Sequence, residues 1–304
     1  MIRTAIQVHP GPRESLEDAA VATTLTSPQG TEAVILVLCD GVGGHERGER
    51  ASELGVSRIL AVLTSFIAAA FARGDREAIT EHALIDAVTT ALGDANRLVL
   101  EVAQQESCPG MASTAVCAVI VEETAVIGWV GDSRCYHFQD GRITYVTRDH
   151  SVVMELLDAG AITPQQALSH ESAHRITRCL GQAEGFEASI VVRRVQIGDV
   201  LLLCSDGLTD VLSDVAIEEV FEDGLSNPRD PQVIASALLS SALAAETHDN
   251  VSVLCCGLLP EVCSQVPYDN RTATGDYVIT IADALHRLNK EKHHASNRRT
   301  PVPV

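Results

Sequence analysis

Asp40 stands at the end of an apolar run, residues 34–39, and glycines at positions 41, 43 and 44 follow it. Such a continuous apolar run predicts a strand that is buried on both faces. Glycine lets the backbone turn sharply after the strand and brings a main-chain carbonyl close to whatever the carboxylate binds. A buried carboxylate beside a bare backbone suits a hard cation with oxygen ligands. For this stretch alone, an ordinary Asp-Gly turn is the simpler explanation.

The same arrangement recurs along the chain, and this recurrence favours a cation site over an ordinary turn. Three more aspartates lie where apolar runs begin or end, and an arginine precedes a pair of acids near the N-terminus. These residues are Asp132, Asp206, Asp249 and, after Arg13, Glu17 and Asp18. Carboxylates that meet at one edge of a sheet core repel each other and have raised pKa values unless a cation neutralises them. The sequence therefore predicts a site for divalent cations.

Five short motifs, in this order, resemble those of the metal-dependent protein serine/threonine phosphatases, the PPM or PP2C family, in their bacterial form. The motifs are Arg13…Glu17-Asp18, Asp40-Gly41-Val-Gly-Gly44, Gly131-Asp-Ser-Arg134, Ser205-Asp-Gly-Leu-Thr-Asp210 and Asp249-Asn250. Each is weak singly, but five in the family's order are a specific match over residues 1 to about 258. The resemblance implies an α+β fold, a four-layer α-β-β-α sandwich of two packed antiparallel sheets with helices on both outer faces.

The resemblance also implies which atoms hold the metal. Asp40 would bridge two ions, the carbonyl of Gly41 would bind one of them, and Asp206 and Asp249 would complete the other. Because every implied ligand is an oxygen atom, Mn²⁺ or Mg²⁺ is expected, with two ions per active site.

Further residues receive supporting roles from the same resemblance. Glu17 and Asp18 would act directly or through bound water, and Asp132 and Asp210 would hold a third, weaker ion. Arg13 would clamp the phosphate oxygens through its planar fork. Two of these assignments have a simpler alternative. Asp132 only caps a turn or pairs with the arginine two residues on, and Arg13 is an ordinary surface side chain.

The implied reaction is hydrolysis of phosphoserine and phosphothreonine in proteins by direct attack of a bridging water that the two ions activate. Arg13, Asp40 and Asp206 are the expected catalytic residues. Some family members carry a histidine where this chain has Val42, and that histidine is thought to protonate the leaving group. The motif therefore does not identify the general acid of this chain. His45 lies close and has a suitable side chain, although a histidine in a glycine loop is more often merely solvated.

Charge and composition exclude several functions. The 304 residues carry a net charge of −19; residues 259–304 are net +1, which leaves −20 for residues 1–258. This charge opposes sequence-independent binding to nucleic acid or to an anionic membrane. Nine cysteines without a C-x-x-C spacing indicate no zinc site and favour a reducing cytoplasm. The most apolar helical stretch, residues 60–72, is shorter than the ~20 residues that span a bilayer, so no membrane insertion is expected.

Hydrophobic periodicity predicts the elements that would position the acids. Strands are expected near 2–8, 19–25, 34–39, 114–121, 125–130, 136–138, 143–146, 188–195, 200–204 and 251–258, and helices near 46–72, 76–106, 151–159, 164–171, 214–222 and 230–246. Helix pairs between runs of strands suit two packed sheets covered on both outer sides. The phosphatase domain is expected over 1–258, with a flap at about 160–185, and 259–304 is a linker and tail with a short helix over 277–292.

The expected partners are proteins that carry phosphoserine or phosphothreonine, including a serine/threonine kinase, in the cytoplasm. Two alternatives compete with this function: a catalytically inactive interaction module of the same fold, and another two-metal phosphoesterase such as a nuclease. The full set of aspartates speaks against the first, and the charge of −20 speaks against the second.

Overall fold

The structure, a computed structural model, describes residues 2–42, 47–74, 79–167, 170–223 and 230–259. Two five-stranded antiparallel sheets form the centre of this part of the chain. Sheet I has the strand order β1-β10-β9-β6-β7, and sheet II has the order β2-β3-β4-β5-β8. The strands are β1 Ile2–His9, β2 Asp18–Thr26, β3 Glu32–Asp40, β4 Ala115–Val121, β5 Thr124–Val130, β6 Arg134–Gln139, β7 Arg142–Val146, β8 Ser189–Arg194, β9 Val200–Cys204 and β10 Val251–Leu258.

Helices cover both outer faces of the two sheets. The helices are α1 Gly48–Ala72, α2 Glu81–Gln105, α3 Val152–Asp158, α4 Pro164–Ala167, α5 Asp206–Thr209, α6 Asp214–Asp223 and α7 Pro231–Ala244. The first two pack on sheet II, and α5, α6 and α7 pack on sheet I. The α-β-β-α sandwich is therefore confirmed, and the predicted strands and longer helices lie within a few residues of the expected positions.

Strand β3 shows why the apolar runs in the sequence are continuous. Val34, Leu36 and Leu38 face the other sheet, while the alternate residues Ile35 and Val37 pack under α1 and α2. All five are fully buried. Because successive side chains of a strand point to opposite faces, a strand in the middle of a four-layer sandwich must be apolar at every position.

The tight connections agree with the expected turn chemistry. Asp140 and Gly141 join β6 to β7 with positive φ angles of 50° and 79°, the combination that a two-residue hairpin turn requires. The polar residue before α2, Thr80, accepts a hydrogen bond from the Ala83 amide at 3.1 Å and caps that helix.

Helix α1 corrects one expectation. It spans 25 residues, and an 18-residue stretch of it has a mean hydropathy of 1.9, so by length and composition it is long enough to cross a membrane. The helix was expected at 46–72, but the expectation that its apolar stretch, residues 60–72, is too short to span a bilayer was wrong. Ile59, Leu63 and Ile67 are nevertheless buried against sheet II and α2, which agrees with the predicted core helix.

Candidate active site

Asp18 and Asp40 lie side by side at one edge of sheet II. They are the first residue of β2 and the last of β3, and they pair directly across the antiparallel ladder. The backbone of Asp40 is fixed on its other side by β4, because its amide donates to Thr114 Oγ1 at 3.1 Å. Its carbonyl accepts hydrogen bonds from Ser113 Oγ and from the Thr114 amide, both at 2.8 Å. The carboxylate therefore projects from a backbone with little freedom.

Gly41 continues from Asp40 through a space that only glycine fits. A Cβ at this position would lie 2.3 Å from the carbonyl carbon of Gly48, the first residue of α1. The Gly41 amide donates to the Glu17 carbonyl at 3.0 Å, and so the loop before β2 and the end of β3 are tied together. This close packing of three backbone segments explains the glycine that the motif requires.

Asp206 opens the short helix α5, an element that the apolar pattern did not predict. The next residue, Gly207, lies so close to the start of β10 that a Cβ there would be 1.9 Å from the Asn250 carbonyl oxygen. Thr247 Oγ1 also donates to the Gly207 carbonyl at 2.9 Å. These contacts hold Asp206 beside the segment that carries Asp249.

Asp132 follows Gly131, whose φ of 99° requires glycine. The alternative that Asp132 pairs with Arg134 does not fit the geometry. Arg134 instead makes a bidentate ion pair with Asp149, at 2.8 and 2.7 Å. Asp210, which follows α5, lies 3.5 Å from the His174 ring nitrogen.

The acids of this edge form one electrostatic group. Burial, followed by the charges of Asp18 and Asp206, raises the pKa of Asp40 well above its ordinary value. Burial, followed by the charge of Asp132, does the same to the pKa of Asp206. Burial also raises the pKa of Asp18 and of Asp132 to about 6, and the pKa of Asp210 is raised chiefly by burial. The predicted ligands are thus brought together, and their charges oppose one another.

Arg13 reaches the same group from the N-terminal loop. Its Nη2 lies 2.7 Å from Asp249 Oδ2, and its Nε donates to the His248 carbonyl at 3.0 Å. The other oxygen of Asp249 accepts the Asn250 amide at 2.8 Å. Glu17, in the same loop, has a pKa raised chiefly by burial. Arg13 therefore stands next to the predicted ligands, with 48% of its side chain exposed.

Two residues that position the site were missed by sequence reasoning. Asn250 accepts the Glu17 amide at 2.7 Å and donates to the carbonyls of Pro10 and Ser15 at 2.9 and 3.0 Å, so it anchors the whole Arg13 loop. Ser205 donates to Asp18 Oδ2 at 2.8 Å. Asn250 and Ser205 lie inside the family motifs, which was the available signal. Their hydrogen-bond partners are distant in sequence, so the positioning role could not be predicted.

The motifs imply a divalent cation, and the acidic side chains at this edge are its candidate ligands. Among the described residues, no group of three or more His, Cys, Asp or Glu side chains is arranged to hold an ion on its own. Each oxygen of Asp249 has one partner, Arg13 or a backbone amide, and keeps a further lone pair for an ion. The buried, mutually repelling carboxylates nevertheless fit hard divalent cations, because such ions remove the electrostatic cost that raises their pKa values.

His45, a candidate for the general acid, and the tail lie outside the described residues. His45 belongs to the undescribed range 43–46, and the tail helix over 277–292 to the range 260–304. In the region of the predicted flap, α4 is short, and the segment that follows it returns to the site, where Leu180 pairs with Ser113.

The chain is similar in sequence and in structure to known protein phosphatases. The family model "Protein phosphatase 2C" matches residues 15–244, a range that contains every predicted ligand except Asp249. The serine/threonine phosphatase stp of Listeria monocytogenes is 32% identical over 221 residues, which cover 72% of this chain and 82% of the relative. The Mycobacterium tuberculosis serine/threonine phosphatase PstP/Ppp has a similar crystal structure, with a TM-score of 0.70 and 30% identity over 85% of this chain and 99% of the other. A catalytic domain of PstP in complex with two manganese ions gives a TM-score of 0.67 and 28% identity over 85% and 99% of the two chains.

Proposed function

The chain belongs to the protein phosphatase 2C family and is a protein serine/threonine phosphatase, and we propose that it uses two Mn²⁺ or Mg²⁺ ions held by Asp40, the Gly41 carbonyl, Asp206 and Asp249. One observation carries this proposal: Asp18, Asp40 and Asp206 come from three separate elements and share one buried edge, where the charges of Asp18 and Asp206 raise the pKa of Asp40 and the charge of Asp18 raises the pKa of Asp206. Such a cluster is costly unless cations neutralise it.

The residues of the chain hold and orient the reacting groups. Two ions, when bound, supply a water of lowered pKa and stabilise charge on the phosphate. Asp40 and the Gly41 carbonyl would hold the ions in a fixed position, because their backbone is anchored to Thr114 and Glu17. Asp18, held by Ser205, would act on the ions directly or through bound water. Asp132 and Asp210 would hold a third, weaker ion.

We propose that Arg13 contacts two groups, Asp249 and the phosphate of the substrate. Its ion pair with Asp249 engages the carboxylate that the proposal assigns to a metal ion. If Asp249 holds an ion, the guanidinium of Arg13 would be free to donate two parallel hydrogen bonds to a phosphate through its planar fork. The 48% exposure of the Arg13 side chain allows this exchange without movement of the core.

The proposed substrates are phosphoserine and phosphothreonine proteins in the cytoplasm, with a serine/threonine kinase among them. The named phosphatase relatives favour this function over an inactive module or a nuclease. We place the catalytic domain at 1–258, with the tail 259–304 outside it.

A phosphothreonine peptide tests the proposal. We expect wild-type hydrolysis to require added Mn²⁺ or Mg²⁺ and to be abolished in Asp206→Asn, because the nucleophilic water is no longer generated. Asp86→Asn is the matched control, since it makes the same change at an exposed position of α2. Full activity in excess chelator, or in folded Asp206→Asn, would contradict the two-metal site.

A further inference from the structure

Asn96 lies in the middle of α2, outside every motif, and is 5% exposed. Its side chain makes three hydrogen bonds to a backbone segment 85 residues further along the chain. Oδ1 accepts the amides of Gly181 and Gln182 at 2.8 and 2.9 Å, and Nδ2 donates to the Gln182 carbonyl at 3.0 Å. A buried amide with this many backbone partners fixes the position of that segment.

The segment is held tightly at the neighbouring residues. Gly181 has a φ of 93°, and a Cβ there would lie 2.4 Å from the Met111 carbonyl oxygen. Leu180, which is fully buried, exchanges both backbone hydrogen bonds with Ser113, at 2.7 and 3.2 Å. The asparagine therefore fixes Ser113 through two residues of backbone.

Ser113 in turn touches the end of β3. Its hydroxyl lies 2.8 Å from the carbonyl oxygens of both Asp40 and Thr114 and shares its one proton between them, and its backbone pairs with Gly41. Three backbone segments therefore stand side by side at the site, represented by Gly41, Ser113 and Leu180, and Asn96 closes this arrangement on its outer side.

We infer that Asn96 is a positioning residue, which sets the Asp40–Gly41 backbone for metal binding through Leu180 and Ser113. This inference rests on the proposed function, because Asp40 and Gly41 are the ligands assigned there. Thermodynamic reciprocity adds a second consequence. If the contacts of Asn96 strengthen metal binding, then metal binding must stabilise the hydrogen bonds between Asn96 and the segment 180–182.

Direct binding of Mn²⁺ by calorimetry to the full chain, below the melting transition of each variant, tests the inference. We expect Asn96→Ala to bind Mn²⁺ about three- to tenfold more weakly, which is less than the roughly ten- to hundredfold effect of residues that contact a metal ligand directly, because Asn96 acts through Leu180 and Ser113. Gln104→Ala is the matched control on an exposed face of the same helix, and we expect it to bind as the wild type does. A purely structural role would lower the melting temperature of Asn96→Ala and leave the affinity of the folded protein unchanged.

A double-mutant cycle tests the route from Asn96 to the site. Ser113→Ala removes the hydroxyl that contacts Asp40 and should also weaken Mn²⁺ binding. Because the two side chains act in series, the loss in the double variant should be smaller than the product of the single losses. If the loss of Mn²⁺ affinity in the double variant equals the product of the two single losses, Asn96 and Ser113 act independently and the proposed route is wrong.

Hydrogen exchange of the wild-type protein decides the question even if Asn96→Ala does not fold. We expect saturating Mn²⁺ to slow exchange of the Gly181 and Gln182 amides at least several-fold, and to leave Val195, whose amide donates to the Glu123 carbonyl, unchanged. If the Gly181 and Gln182 amides exchange at the same rate with and without Mn²⁺, while Asp206→Asn still lowers Mn²⁺ affinity, the inference about Asn96 is overturned and the proposed function is not. Wild-type affinity in Asp206→Asn would overturn the proposed function, and the inference with it.

Discussion

Asp18 and Asp40 are direct partners across the β2–β3 ladder, and both carboxylates are buried at the same edge. Like charges placed opposite each other in a sheet are destabilising, so this pair costs stability in the absence of a cation. Burial raises the pKa of Asp18 from 3.8 to about 6, although hydrogen bonds with neighbouring side chains oppose this shift. At neutral pH the folded protein therefore carries an unfavourable charge at a position where the unfolded chain carries the same charge freely.

Asp18→Asn should consequently stabilise the protein in chelator at pH 7.5, by on the order of 1–3 kcal/mol, because it removes the unfavourable charge but retains an acceptor for Ser205. In saturating Mn²⁺ the gain should shrink or reverse, because the ions lose a nearby negative charge. Thermal unfolding with and without Mn²⁺ measures both effects, and Asp86→Asn, exposed on α2, controls for the amide itself. A variant that is less stable than the wild type in chelator would contradict the account.

Much of the sandwich was predictable, because the strands that form its interior must be apolar on both faces and therefore appear as continuous runs. Strand β9, predicted at 200–204, has the same bounds in the structure. The predicted ligands came from motif order, and the structure gathers them at one edge. The polar residues that support them could not be predicted, since the partners of Asn250 and Asn96 are set by tertiary contacts over long distances in sequence. The short helix α5 has too few residues to produce a periodic pattern.

His150 should make stability fall in mildly acidic solution. Its Nδ1 accepts the Gly131 amide at 3.2 Å, its Nε2 lies 2.9 Å from Ser189 Oγ, and its ring stacks on Trp129. Burial, assisted by the positive charge of Arg178, lowers the pKa of His150 to about 4. Between about pH 6.5 and pH 4 the unfolded chain binds a proton at this position and the folded protein does not, so stability decreases as the pH falls.

His150→Gln should flatten that dependence, removing up to about one proton of uptake on unfolding near pH 5. The measurement is the slope of unfolding free energy against pH, taken for both proteins at the same metal concentration. The absolute stability of the variant is not the readout, because Gln also changes the contacts with Gly131 and Ser189. An unchanged slope would show that His150 titrates normally in the folded protein.

Truncation after Leu259 should leave turnover of a small aryl phosphate within a few-fold of the full chain. Strand β10 ends at Leu258, and all the predicted ligands precede it. The melting temperature and Mn²⁺ affinity should likewise stay close to those of the full chain. Loss of folding or of metal binding in the truncated protein would show that residues 260–304 are integral to the domain.

Arg13 and Asp40 should separate substrate binding from chemistry. If Arg13 grips phosphate equally in the ground and transition states, Arg13→Ala should chiefly raise KM for a phosphopeptide. A charge-assisted contact of ~1.5–3 kcal/mol corresponds to roughly a ten- to hundredfold change. Asp40→Asn should instead lower kcat, by more than about a hundredfold, because it removes the carboxylate that we propose holds both ions.

Two further variants make this comparison sharper. Arg13→Lys should restore only part of the loss, because an ammonium group cannot donate the two parallel hydrogen bonds of a guanidinium. Arg97→Ala is the matched control, since Arg97 pairs with Asp94 on the exposed side of α2, away from the predicted ligands. Circular dichroism must show that each variant is folded before its kinetics are compared. If Arg13→Ala leaves kcat/KM on the phosphopeptide unchanged, the ion pair with Asp249 is the only role of Arg13, and the phosphate binds elsewhere.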